Sequence, residues 1–116
     1  MSKRGDRDLL ADIIICLGKI RGYTQGLTYE DFLSDEKTQD AVIRNIEIVG
    51  EATKKLSNEL KSCYPSIPWK MMAGTRDRLI HGYFGVNIDI VWGIATVDGP
   101  ELETTIREIR KERADK

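Results

Sequence analysis

Apolar residues recur along this chain at steps of three and four, the spacing that gathers them on one side of an α-helix. Leu9, Leu10, Ile13, Ile14, Leu17 and Ile20 mark a first helix over about residues 6–22, with Gly22 and Gly26 at its end. A short helical piece follows around residues 29–33, with Thr28 and Asp31 placed as a capping residue and its first-turn acid. The next stripe is narrower. Val42, Ile46, Val49, Thr53, Leu56 and Leu60 step by four, three, four, three and four, which predicts one long helix over about residues 35–62 facing antiparallel neighbours. Pro65 and Pro68 interrupt the pattern, and Ser66 with Pro68 opens a third helix that runs to about residue 83, proline being tolerated in a first turn. After a loop at 84–86, residues 87–97 carry Ile88, Val91, Trp92 and Ala95, and Asp98-Gly99-Pro100 ends that helix while starting another. The last helix has Leu102, Ile106 and Ile109 on one side, and its charged tail, residues 107–116, is expected to fray. No alternating run long enough for a sheet stands out. The expected fold is all-α, an antiparallel helical bundle of about five helices.

Composition narrows the class. A chain of 116 residues has room for one domain, here residues 1–116, and 41% hydrophobic content supplies a core without a signature of disorder. Eighteen Lys and Arg against nineteen Asp and Glu leave a net charge of -1, so any affinity for nucleic acid must be local. Cys16 and Cys63 are too few for a disulfide framework and are expected in the core, as are Trp69, Trp92, Met71 and Met72. No signal sequence opens the chain and no apolar run approaches a bilayer span, so a cytoplasmic protein with no membrane association is expected.

The chemistry gathers in one place. The chain has one histidine, His81, and no Cys, His or carboxylate cluster at metal-ligand spacing, so neither a metal site nor a cofactor is expected. Around His81 the sequence is Gly74-Thr75-Arg76-Asp77-Arg78-Leu79-Ile80-His81-Gly82-Tyr83, the densest polar constellation in the chain. On a regular helix Arg76 shares a face with Trp69, Met72, Ile80 and Tyr83, so a permanent charge lies on the stripe that should be buried. Left unpaired there it would be expensive. His81 lies about 140° around the axis from Arg76, so the two converge only with help. Either Gly82 ends the helix and redirects His81, or a second copy faces the first across a two-fold axis. Asp77 and Arg78 are expected in solvent. On spacing alone, an Arg and a His at a helix end are more often ion-pair and capping residues than catalysts.

The pattern Arg76-x4-His81-x-Tyr83 resembles the R-x4-H-x-Y motif of HEPN domains, in the form found in HepT-like toxins of HepT/MNT toxin–antitoxin pairs. Arg44-Asn-Ile-Glu-Ile-Val-Gly-Glu-Ala52 resembles the family's long helix, Ile67-Pro-Trp-Lys70 the start of its motif helix, and Val91-Trp92 with Asp98-Gly-Pro100 its closing region. The likeness spans nearly the whole chain. One departure is Asp77, where many relatives carry Asn.

The resemblance implies a homodimer that cleaves RNA without metal, with Arg76 and His81 of both subunits lining a shared cleft. Such cleavage needs the ribose 2′-hydroxyl to attack the neighbouring phosphate, hence a proton carrier and positive charge on the developing phosphorane. An imidazole, with an ordinary pKa of about 6.5, suits the first role and an arginine the second, with Arg78 adding charge from the rim as a substrate-binding residue. It further implies a partner, a minimal nucleotidyltransferase antitoxin that transfers AMP from ATP to Tyr83 and fills the cleft with anionic nucleotide. The competing readings are a non-catalytic HEPN module, binding nucleotide or RNA or serving the nucleotidyltransferase as its substrate-binding partner, and a purely structural dimerisation domain.

Overall fold

The computed structural model describes residues 5–79 and 85–114, with the backbone alone at Arg76 and Ala114. Its helices are α1 (Asp6–Thr24), α2 (Tyr29–Leu33), α3 (Glu36–Lys55), α4 (Asn58–Cys63), α5 (Trp69–Ala73), α6 (Thr75–Leu79), α7 (Ile88–Gly93) and α8 (Gly99–Ala114), with one π-helical turn at Ile94–Asp98. Among the described residues there is no β-sheet, and the chain is an all-α, HEPN-like bundle.

Two contacts show how the long helices run. The backbone N–H of Ser57, just past α3, donates to the Asp6 carboxylate at the start of α1 at 2.8 Å, so α1 and α3 are antiparallel. Arg21 near the end of α1 pairs with Glu103 near the start of α8, so these two are antiparallel as well. α1 lies between them and buries Leu9, Leu10, Ile13, Ile14, Leu17 and Ile20, the stripe its sequence predicts. From the far side come Val42, Ile46, Val49, Thr53, Leu56 and Leu60, all buried. Thr53 is the polar member of that seam, and its hydroxyl donates to the Val49 carbonyl at 2.7 Å, so nothing polar is left unpaired there.

The capping residues set where several helices begin. Thr28 and Asp31 form the reciprocal capping box of α2, Asp35 accepts from the Thr38 N–H to start α3, and Asn87 accepts from the Ile90 N–H to start α7. Phe32 of α2 is fully buried, its ring 5.1 Å from that of half-buried Trp92 in α7. Trp69 is buried, and its indole N–H donates to the carbonyls of Lys61 and Tyr64, closing the connection from α4 to α5.

Several expectations need correction. The helix expected over residues 35–62 is two helices, because Leu56 and Ser57 adopt extended ψ values of 145° and 152° and Ser57 caps α4. The third helix breaks at Gly74, giving α5 and α6, and with the split of the long helix this raises the count above five. Cys63 and Met71 are exposed, since α4 turns only Leu60 fully inward and α5 buries Trp69 and Met72 instead. The charged tail stays helical to Ala114, held by Ile109, which is buried.

Asp98-Gly99-Pro100 does not end a helix either. The Gly99 N–H reaches back five residues to the Ile94 carbonyl, and the chain continues from this π-turn into α8 with Gly99 in right-handed helical geometry. Pro100 has no N–H to donate and its ring crowds the turn before it, which the wider π-turn accommodates. A Cβ on Gly99 would stand 2.8 Å from the Ile94 carbonyl oxygen. Gly99→Ala should therefore cost about 1–3 kcal/mol, read as a lower urea midpoint at unchanged m-value.

Candidate functional site

Three contacts seat the helix that carries Arg76. Gly50 is buried where α3 meets α5, and a Cβ there would lie 3.3 Å from the Met72 carbonyl oxygen, so glycine permits this close approach. At the Gly74 break the Thr75 hydroxyl donates to the Met72 carbonyl at 2.7 Å and so ties the start of α6 to α5. Leu79 then anchors the far end of α6, 1% exposed. Its carbonyl accepts from the Asn87 N–H at 2.8 Å, and the Asn87 side chain starts α7. The two described segments on either side of residues 80–84 are thus joined by a backbone hydrogen bond.

Arg76 lies in α6. The interruption at Gly74 means that its position cannot be projected from Trp69 and Met72 along one regular helix. His81 and Tyr83, together with Gly82, lie outside the described residues. Asp77 and Arg78 are exposed, as the sequence suggests. Arg78 lines a cleft of about 330 Å³ with Met71, Thr75, Ile94 and Leu102, and Asp98 and Glu101 line it too. Those two carboxylates offset the field that Arg78 offers to a phosphate. Among the described residues no group of three or more His, Cys, Asp or Glu is placed to hold a metal ion, and no helix is long and apolar enough to cross a membrane.

The sequence reading missed Gly50, Thr75 and Asn87 as positioning residues. Asn87 had a readable signal, a capping side chain directly before an apolar helical run, whereas Gly50 in mid-helix shows its purpose only when α5 is laid against it.

A different charged group fixes the other side of the bundle. Glu103 is buried, with a side chain only 7% exposed, and it accepts from Arg21 of α1 and Arg107 of α8. The hydrogen bond from Arg21, and then that from Arg107, holds its carboxyl below the ordinary glutamate range against the opposing effect of burial. Because the folded value is depressed, this contribution is complete above the unfolded pKa of about 4.3 and is lost as pH falls through the folded value. Both arginines are more than half exposed, so the pair is screened. Glu103→Gln should cost about 1–2 kcal/mol near neutral pH, with the difference from wild type shrinking below about pH 4, measured by thermal unfolding at pH 7 and pH 3.

The fold is an antiparallel helical bundle with Arg76, the first residue of the R-x4-H-x-Y sequence, on a short helix packed against the long one, and its class is HEPN-type. The chain matches the HepT-like ribonuclease family over residues 13–109, and it belongs to that family. A protein of Thermococcus cleftensis named "Probable ribonuclease HepT" is 45% identical over 109 residues, which cover 94% of this chain and 99% of that protein. One of Methanocaldococcus jannaschii, named as an RNase, is 43% identical over 116 residues, 97% of this chain and 96% of its own. Another, from Caldanaerobacter subterraneus and also named as an RNase, is 45% identical over 85 residues, 73% of this chain and 76% of its own. No solved structure is a significant match.

Proposed function

We propose that this protein is the toxin of a HepT/MNT-type toxin–antitoxin pair: a cytoplasmic, metal-independent endoribonuclease, one HEPN domain per chain, acting as a homodimer. The observation that carries the reading is that the family match over residues 13–109 takes in the whole of Arg76-x4-His81-x-Tyr83. The seating of α5 on Gly50 and of α6 by Thr75 and Asn87 supports it, because a catalytic arginine needs a rigid mount.

In this mechanism the ribose 2′-oxygen forms a bond to the adjacent phosphorus and the bond from phosphorus to the 5′-oxygen breaks. His81 takes the 2′-hydroxyl proton or returns one to the leaving 5′-oxygen, and the His81 of the other subunit can serve the opposite step. Arg76 holds the phosphate oxygens as negative charge develops on them. The products are a 2′,3′-cyclic phosphate and a 5′-hydroxyl. Arg78 contributes from the rim, against Asp98 and Glu101.

Inactivation follows when the cognate nucleotidyltransferase presents ATP. The Tyr83 phenol oxygen bonds to the α-phosphorus, pyrophosphate leaves, and the attached AMP occupies the place that RNA phosphate needs. Tyr83→Phe should leave cleavage within a few-fold of wild type yet escape this control, checked by incubation with the nucleotidyltransferase and labelled ATP before an RNA assay.

The function itself is tested by incubating unmodified protein with a structured RNA in EDTA and identifying the new ends. Cyclic-phosphate ends support the toxin reading, and saturable binding without turnover supports the binding module instead.

A further inference from the structure

The net charge of the chain is -1, yet its cations are not evenly spread. Along the seam between α1 and α8 run two adjoining grooves of about 530 and 490 Å³ that share Ile14, Arg107 and Arg110. Of the chain's eighteen Lys and Arg, seven among the described residues line these grooves: Arg7, Arg107, Arg110, Lys111 and Arg113 in the first, with Lys19 and Arg21 added by the second. Among the described residues Asp6 is the one carboxylate that lines them, and it already accepts from Ser57. Glu103 engages Arg21 and Arg107. The other five cations have no hydrogen bond or ion pair among the described residues. Glu108 and Glu112 lie on the same helix but do not line either groove.

Helix dipoles do not account for this concentration. Lys111 and Arg113 in the last turn of α8 are where a macrodipole favours cations, but Arg7 occupies the first turn of α1, where it does not. Like charges set side by side repel, and a polyanion relieves that repulsion by releasing counterions. The floor suits a strand as well, since buried Leu10 and Ile14 line the groove beneath the cations. From Arg7 to Arg21 the seam is about 21 Å long at 1.5 Å per residue, room for several phosphates rather than one. The motif helix packs elsewhere, on α3, α5 and α7.

We infer that the α1–α8 seam is a second, non-catalytic groove that binds the phosphodiester backbone of single-stranded RNA, holding the strand beyond the point of cleavage. The inference rests on the ribonuclease reading for the identity of the strand, and on the seam's own charge for its binding.

The test uses full-length protein and a fluorescent 15-nucleotide 2′-O-methyl RNA, which this chemistry cannot cut, with affinity read by anisotropy over a salt series. Arg110→Glu/Arg113→Glu should weaken binding at least tenfold and flatten the salt dependence by about 0.7 in slope for each phosphate that is no longer neutralised. The control is Lys54→Glu/Lys55→Glu, the same charge change at exposed positions on α3, which should stay within about threefold. Equal losses in both variants, or none in the seam variant, overturn the proposal, the second result also fitting a protein occupant. On cleavable substrates the seam variant should raise KM for a 30-nucleotide RNA and leave cleavage of a trinucleotide unchanged. Should wild type cut neither, the ribonuclease reading fails while the anisotropy result still decides the groove.

Discussion

Replacement of His81 by alanine is expected to lower RNA cleavage in EDTA by about 10²–10⁴-fold, the range a positioned proton carrier contributes. His81 is the only imidazole in the chain, so no neighbouring histidine of the same subunit can take over its role. Arg76→Ala should lose about 10²–10³-fold, because it removes charge from the phosphorane and leaves proton transfer intact. In a composite dimer site the two losses belong to one assembly. Inactive Arg76→Ala and His81→Ala subunits, mixed and allowed to exchange, should recover part of the activity if each cleft draws on both. Circular dichroism and size exclusion on each variant separate loss of chemistry from loss of fold or assembly.

The second large effect is on stability and reaches the site through packing. Leu79 is 1% exposed at the end of α6, and its carbonyl accepts the Asn87 N–H at 2.8 Å. Truncation to alanine should cost about 2–5 kcal/mol, transfer and cavity terms together, and lower Tm by roughly 10 °C or more for a chain of this size. It also loosens the anchor between α6 and α7, so cleavage should fall at temperatures where the variant is still folded. Ile106→Ala supplies the comparison. That residue is equally buried, but it sits in α8, away from the α6–α7 junction that Leu79 holds. A similar stability loss with cleavage unchanged at Ile106, against cleavage lost at Leu79, would show that the mount of the motif helix carries the effect.

Much of the bundle is legible in the spacing of its apolar residues. The α1 stripe from Leu9 to Ile20 and the seam from Val42 to Leu60 are buried as read, and Thr28 with Asp31 caps α2 as placed. What escapes are features set by residues distant in sequence. The apolar steps continue through Leu56 and Leu60 without a fault, so the pattern cannot reveal the break between α3 and α4, which is held by a carboxylate at Asp6 51 positions away. At Gly99 the usual reading of Asp-Gly-Pro as a stop fails because a π-turn absorbs both the glycine and the proline. Met71 and Cys63 stay outside because short helices turn so few residues inward.

The site divides along the same line. Its residue types and spacing, Arg76, His81 and Tyr83, are written in the sequence, inside the stretch over which the family model matches. The means of holding α6, a glycine under a neighbouring backbone and a threonine hydroxyl on a broken helix, are visible only once α3, α5 and α6 are packed together. The charge along the α1–α8 seam escapes for a related reason: a net charge near zero conceals two helices that bring cations from opposite ends of the chain to one groove.

In the proposed reaction the strand's own 2′-hydroxyl attacks the phosphate, without metal. One measurement addresses it directly: wild-type protein in EDTA with an RNA of mapped cut site, beside the same RNA carrying a single 2′-deoxyribose on the 5′ side of that phosphate. Cleavage of the first to a 2′,3′-cyclic phosphate, and none at the substituted position in the second, is the predicted result. Cleavage at the deoxy position, or activity that EDTA removes and a divalent ion restores, would contradict it.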